Sequence, residues 1–199
     1  MGTLRYWSTS GATPSSHSEV LMLAHSLAQS GSEGCEGAAS VLEDYSPTEA
    51  ALVRGICVAR RPDGDIAQAV EEFATGMMRL REDPWANSTL VIHSLLAMDS
   101  LYPRLPPELL EKLADSISSR FSLSMVEELR MQSDLVVSRG IDGDRCGTRT
   151  MRALHAFEPF APFREETLKL RASCYEATKD SLAELAKRDY EAYLTAKDR

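Results

Sequence analysis

The sequence predicts an all-α fold in which antiparallel helical hairpins stack side by side into an α–α superhelix. Apolar residues recur at the three- and four-residue spacing of helix faces, and the alternating runs that indicate half-buried strands are absent. Glycine and proline stand between these periodic segments, where they end one helix and begin the next. Comparable helix starts recur near residues 19, 48, 86 and 125, a drifting period that is typical of a helix–turn–helix repeat. We predict a flexible lead over residues 1–18 and one helical-repeat domain over residues 19–199.

The first two predicted helices form a pair. Val20, Leu23 and Leu27 share one helix face and predict a helix that ends near Gly31. A short second helix follows from about residue 33 to residue 45, and its small residues suit close packing on a neighbour.

A second pair has stronger boundary signals. The Ser-Pro-Thr-Glu sequence at 46–49 is a capping box with proline at the first helical position, and it predicts a helix that ends at Arg61-Pro62. Asp65 is the expected N-cap of the following helix, whose apolar face includes Val70 and Phe73.

The fifth predicted helix covers about residues 86–101 and begins after Asp83-Pro84, which we interpret as its N-cap and first-turn proline. It is apolar on nearly all sides, so we predict that it is the central helix of the domain. Trp85 is expected to staple this turn, and His93 is expected to be a core histidine with a satisfied hydrogen bond.

The second half of the chain is less regular. Prolines at 103, 106 and 107 precede a helix over about 109–121, and a Ser-Met-Val-Glu capping box at 124–127 predicts a helix to Gly140. A turn at 142–144 and a helix over about 148–157 follow. Residues 163–199 contain neither glycine nor proline, which predicts a long final helix or two helices with a small kink.

Length and charge limit the classes of function. The 199 residues suffice for a core without staples, and a net charge of -8 argues against nucleic-acid binding, which requires a basic surface. No apolar run approaches the roughly 20 residues that span a bilayer. We therefore expect a cytoplasmic or otherwise soluble protein, with a periplasmic or other extracytoplasmic domain as the alternative.

The cysteines and histidines predict neither a disulfide framework nor a metal site. Cys35, Cys57, Cys146 and Cys174 are far apart and form no Cys-x-x-Cys pair, so we expect free, partly buried thiols. The four histidines are equally scattered and make no short metal-binding spacing. Nucleophile elbows and glycine-rich phosphate loops are also absent, so no catalytic residue, cofactor or metal is predicted.

One segment of the chain resembles the tetratricopeptide-repeat family. Between Thr48 and Pro84, Gly55 stands where the first helix of a repeat needs a small residue, and Ala69, Phe73 and Gly76 follow the family's Ala-x3-Phe-x2-Ala pattern. Outside this segment the agreement is generic, and an irregular helical bundle is the alternative. The resemblance implies stacked helix pairs whose first helices line a concave face that binds protein or peptide.

Projecting that family pattern onto the chain gives a predicted partner-binding face. It draws on the first helices of two successive pairs and mixes apolar with charged residues, which suits a peptide. Its members are Glu49, Leu52, Ile56, Arg60, Ser88, Val91 and Asp99. The alternative is that Leu52, Ile56 and Val91 simply belong to the core.

The leading functional prediction is a non-catalytic scaffold that binds a protein or peptide. A second possibility is the soluble extracytoplasmic end of a larger membrane protein, such as an O-antigen ligase or polymerase-like glycan enzyme. Tyr6-Trp7 motivates it, since aromatic pairs occur beside membrane spans; packing of this pair on the domain is the simpler interpretation. A third is a helical-bundle enzyme whose histidines and carboxylates converge only in space.

Overall fold

A computed structural model describes residues 14–143 and 145–197, and over these residues the fold is all-α, with ten α-helices and no strand. The predicted fold class is therefore confirmed at this level, and superhelical stacking stays a prediction. The Tyr6-Trp7 pair and most of the predicted lead lie outside the described residues. The helices are α1 (His17–Ser30), α2 (Cys35–Glu43), α3 (Pro47–Arg60), α4 (Ile66–Arg79), α5 (Ser88–Leu101), α6 (Pro107–Ile117), α7 (Glu127–Ile141), α8 (Thr148–His155), α9 (Glu165–Thr178) and α10 (Ala183–Lys197).

The chain forms two compact units, which we call unit 1 and unit 2. Unit 1 ends at Ser133 and unit 2 begins at Asp134, so the division falls within α7. Unit 1 holds α1 to α6, and unit 2 holds α8 to α10. The single domain predicted over 19–199 stays a prediction.

The helix α1 begins at His17, two residues before the predicted helix start at Glu19. Ser16 caps it: the Ser16 side chain accepts a hydrogen bond from the Glu19 backbone N–H, and the Glu19 side chain accepts one from the Ser16 N–H. This reciprocal pair satisfies two N–H groups that a helix start leaves free. At the other end Gly31 takes a left-handed conformation with φ of 61° and closes the helix as predicted.

The capping box predicted at 46–49 does not form, although α3 begins there. The Ser46 hydroxyl lies 3.0 Å from Nε2 of His17, at the start of α1. The Glu49 carboxylate accepts a hydrogen bond of 3.1 Å from the Asn87 N–H, just before α5. Both side chains therefore join the starts of neighbouring helices instead of capping their own.

Two further helix starts differ from the prediction. Asn87, not Asp83, is the N-cap of α5, and its side-chain oxygen accepts from the Leu90 N–H at 3.0 Å. Asp83 instead accepts from the backbone of Trp85, whose side chain is 90% exposed and cannot staple the turn. At α7, the predicted capping box at 124–127 is replaced by a short 3-10 turn over Ser124–Val126.

The central helix of unit 1 is α3, so the prediction that α5 is central was wrong. Every residue of α3 from Thr48 to Val53 and from Gly55 to Val58 is buried, and α3 packs against α1, α2, α4 and α5. The reason is size: alanine, glycine and cysteine side chains keep α3 narrow enough for neighbours to approach from several sides. By contrast, α5 leaves Ile92 and Leu96 exposed.

The hairpin of α3 and α4 coincides with the segment that resembles a tetratricopeptide repeat, and its helices approach closely. A Cβ added to Gly55 would lie 2.6 Å from Cδ1 of Phe73, and a Cβ added to Gly76 would lie 2.5 Å from Cδ2 of Leu52. Each glycine thus receives a large side chain from the partner helix. Both glycines are required by this packing.

The Gly55→Ala substitution is expected to lower the free energy of unfolding by about 1–3 kcal/mol, because the new methyl group overlaps the buried Phe73 ring. Gly37→Ala is the matched control, since nothing lies within 4 Å of a Cβ at Gly37 on α2. For Gly37→Ala we expect the free energy of unfolding to rise by about 0.5–1 kcal/mol, because alanine has a higher helix propensity than glycine. Urea unfolding followed by circular dichroism measures both. An equal gain in the two variants would contradict the close packing of α3 on α4.

The predicted long final helix is two helices that form an antiparallel hairpin. The break occurs at Lys179, which takes a left-handed conformation with φ of 55° although it is not glycine. The N–H of Asp180 donates to the Tyr175 carbonyl, and the Asp180 side chain accepts from the Leu182 N–H. These bonds close α9 and open α10 without glycine or proline, through the turn-forming side chain of Asp180.

The four cysteines are paired, so the expectation of free thiols was wrong. In unit 1, Cys35 at the start of α2 is bonded to Cys57 of α3, with their Cα atoms 6.2 Å apart. In unit 2, Cys146 is bonded to Cys174 of α9, with their Cα atoms 5.2 Å apart. The partners are 22 and 28 residues apart in the sequence, so helix packing, not a local motif, brings them together.

Candidate partner-binding surface

The structure places most of the predicted partner-binding residues in the interior of unit 1. Leu52, Ile56 and Val91 are fully buried, and Glu49 is 5% exposed. These apolar side chains therefore belong to the core, which was the alternative interpretation. Arg60 is exposed at the end of α3, and Ser88 and Asp99 are half-buried on α5.

The arrangement of three helices explains this burial. The central helix α3 packs against both α1 and α5, and polar contacts join the starts of all three. In addition, His25 of α1 and His93 of α5 are hydrogen-bonded to each other, with 2.8 Å between Nε2 of His25 and Nδ1 of His93. Side chains of α1 and α5 thus meet directly, beside the buried α3.

The exposed face of α5 is apolar along part of its length. Ile92 is 36% exposed and Leu96, one turn later, is 51% exposed. On α1, Met22 is 56% exposed and precedes His25 by one turn. We call Met22, His25, Ile92, His93 and Leu96 the α1–α5 surface. It explains why the sequence of α5 is apolar on nearly all sides: one side faces the core and another faces solvent.

The two histidines of the α1–α5 surface form a half-buried pair. Their ring centroids are 4.9 Å apart, and the Gln29 side-chain nitrogen lies 3.3 Å from Nε2 of His25. Burial, and repulsion from a charge on His93, lower the pKa of His25 to about 4. His25 is therefore neutral at neutral pH, and one ring donates the hydrogen bond that the other accepts.

Sequence reasoning missed this pair, although it had singled out His93. The two histidines are 68 residues apart, and the sequence predicts that His93 is a core histidine with its hydrogen bonding satisfied. It does have a hydrogen-bond partner, but that partner is a second histidine at the surface. No sequence signal linked them, because the two residues lie on the first helices of the first and third predicted pairs, and a repeat stack brings only successive pairs together.

A second cluster of ionisable residues lies inside unit 2. The Arg171 side chain is 1% exposed and makes two hydrogen bonds to Glu158, at 2.6 and 3.1 Å, and one of 2.6 Å to Asp189. Tyr175 donates to Glu158 at 2.9 Å, and its ring stacks on His155. Burial and the Glu158 charge raise the pKa of Tyr175. These groups satisfy one another, so we interpret the cluster as structural.

The cavity beside the C-terminal end of α3 offers no nucleophilic side chain and no histidine. A cavity of about 560 Å³ at the C-terminal end of α3 is lined by the turn at 61–65 together with Gly31, Glu33, Val58 and Gln68. Its lining contains no histidine, cysteine or serine. Within residues 14–143 and 145–197, no three histidine, cysteine or acidic side chains are grouped to hold a metal ion.

The helices of the described residues are 8 to 15 residues long. Not one of them combines the length and the apolar character needed to cross a membrane.

Comparisons with known proteins return no match: no family model, no curated protein and no solved structure is similar to the chain. The class that the coordinates define is an all-helical chain with one disulfide in each of two compact units. The α1–α5 surface is the candidate functional site of unit 1.

Proposed function

We propose that the chain is a non-catalytic binding protein and that unit 1 holds a protein or peptide segment on the α1–α5 surface. The observation that carries this proposal is the exposure of Ile92 and Leu96 on one face of α5, with Met22 exposed on α1. Apolar side chains grouped on a water-exposed face are typical of surfaces that a partner covers. The tetratricopeptide resemblance assigns partner binding to the first helices of the predicted pairs; α1 and α5 are two of these helices, and the third, α3, is buried.

The mechanism of binding is preorganisation. The buried α3 fixes the positions of α1 and α5, and the Cys35–Cys57 disulfide fixes α2 on α3. A partner therefore meets side chains whose backbone is already ordered, and the entropic cost of binding falls mainly on the partner. An amphipathic helix or extended peptide whose apolar side chains match Ile92 and Leu96 is the form of partner that this surface suits.

The experiment is a selection of random short peptides displayed on phage against the immobilised full chain. We expect enriched peptides whose affinity falls at least about tenfold in the Leu96→Glu variant, since a charge at the centre of the surface opposes apolar contact. Met78→Glu is the matched control, because Met78 is 48% exposed on α4, outside the surface. That variant is expected to bind within about twofold of wild type.

Two results would contradict binding at the α1–α5 surface. Enriched peptides that bind the Leu96→Glu variant and the Met78→Glu variant as tightly as wild type would show that the binding site lies elsewhere. Selection of no peptide above background would argue against peptide binding by this surface altogether. Circular dichroism of each variant verifies that the helices are retained.

We further propose that the chain works in an oxidising compartment, as an extracytoplasmic domain, on its own or as the end of a larger membrane protein. The two disulfides support this setting, since such bonds persist outside the cytosol. The test is alkylation of protein taken from its native host, before and after reduction, followed by mass spectrometry. Thiols that react only after reduction are the expected result. Four thiols that react before reduction would contradict it.

A further inference from the structure

The His25–His93 pair has hydrogen-bonding capacity that the chain does not use. Nε2 of His25 and Nδ1 of His93 bond to each other, and Gln29 adds one contact to Nε2. Within the described part of the chain, Nδ1 of His25 and Nε2 of His93 have no hydrogen-bond partner. Each of these nitrogens belongs to a half-buried ring, so it is open to a ligand at the surface.

Among the described residues, the pair also has no acidic neighbour that would stabilise the positive charge created when one of the two rings is protonated. On α1 the nearest acidic residue is Glu19, which bonds to Ser15 and Ser16 at the helix start. The charged groups on the elements packed against α1 and α5 bond to other residues or are exposed at helix ends. They are Glu36 with Arg61, Glu43 and Glu72 with Arg54, Glu49 with Asn87, Glu71 with Lys112, Arg79 with Pro47, Asp99 with Ser133, and the exposed Arg60 and Arg104.

We propose that the His25–His93 pair binds a carboxylate of the partner, so that the α1–α5 surface selects an acidic residue set among apolar ones and binds it more tightly as the pH falls. This inference rests on the proposed function and names the chemistry of its partner. The apolar side chains of Ile92, Leu96 and Met22 supply contact area, and the histidines supply the polar contact that fixes orientation.

The physical reason is the balance of charge. Without a partner, burial and the neighbouring ring disfavour a proton on His25. A carboxylate placed against the pair would favour that proton by attraction, and an opposite charge within about 4–6 Å raises such a pKa by about 1–3 units. Binding then takes up a proton. By linkage, affinity must rise as the pH falls through the range in which the bound pair is protonated.

The experiment repeats the peptide selection at about pH 5.5 and measures the enriched peptides by calorimetry at about pH 5.5 and about pH 7.5. We expect a consensus that contains Asp or Glu among apolar residues, and an affinity about tenfold higher at the lower pH. Calorimetry in two buffers of different ionisation enthalpy is expected to show net proton uptake. The double variant His25→Gln, His93→Gln is expected to lose the pH dependence, whereas the control His17→Gln retains it.

The outcomes separate this inference from the proposed function. Peptides that require Leu96 but lack a carboxylate, or bind equally at both pH values, would overturn the role of the histidine pair and leave the surface in place. Peptides that are indifferent to Leu96→Glu would overturn the proposed function itself. Equal pH dependence in the double variant and in wild type would also refute the inference.

Discussion

The Arg171→Met variant is expected to lower the free energy of unfolding of unit 2 by about 3 kcal/mol. The substitution roughly preserves volume but removes the guanidinium that pairs Glu158 and Asp189. Glu158 is largely buried, so its carboxylate would lose two charge-assisted hydrogen bonds and keep only the one from Tyr175. An uncompensated buried charge is among the most destabilising changes in a fold.

Urea unfolding of the full chain, followed by circular dichroism, measures this effect. Arg188→Met is the matched control, because Arg188 is an exposed residue of the same hairpin, on α10. Its expected change is within about 0.5 kcal/mol. Arg171→Lys is expected to fall between the two, since lysine keeps the charge but cannot reproduce the two-pronged contact with Glu158. A loss for Arg171→Met no larger than for Arg188→Met would show that the cluster does not hold unit 2 together.

Removal of either disulfide is expected to lower the free energy of unfolding of its unit by about 3 kcal/mol. Cys35 and Cys57 are separated by 22 residues, and Cys146 and Cys174 by 28. Opening loops of this length returns that much conformational entropy to the unfolded chain. The paired variants are Cys35→Ala, Cys57→Ala for unit 1 and Cys146→Ala, Cys174→Ala for unit 2. Thermal unfolding with and without a phosphine reductant gives the comparison.

The variant with all four cysteines replaced is the control for the reductant. Its melting temperature is expected to be the same in oxidising and reducing buffer, whereas that of wild type falls on reduction. The disulfides would be contradicted if wild type melted at the same temperature in both buffers and its four thiols reacted with an alkylating reagent. That result would support the free thiols that the cysteine spacing predicts.

The sequence predicts helices well here because local residues set their ends. Asp65 caps α4 through bonds to two backbone N–H groups, and Gly31 closes α1, both as expected. The predictions fail where a side chain bonds outside its own helix. Glu49 looks like half of a capping box, yet it bonds to the backbone of Asn87, and no local pattern reveals that contact.

Long-range contacts account for the remaining differences. The apolar composition of α5 predicts burial on nearly all sides, but an exposed stripe of Ile92 and Leu96 gives the same composition. Cysteine spacing cannot reveal pairs that form only when helices pack. The His25–His93 contact joins residues that are 68 positions apart in the sequence, on two helices that both pack against α3, so it depends on tertiary structure alone.

The most direct test of the account is methyl nuclear magnetic resonance of the full chain, titrated with a peptide enriched by the display selection. If the peptide binds the α1–α5 surface, the methyl signals of Met22, Ile92 and Leu96 shift together and saturate at one stoichiometric equivalent, while that of Met78 stays in place. Shifts confined to Leu194 and other residues of the α9–α10 hairpin, with Ile92 and Leu96 unchanged, would contradict it.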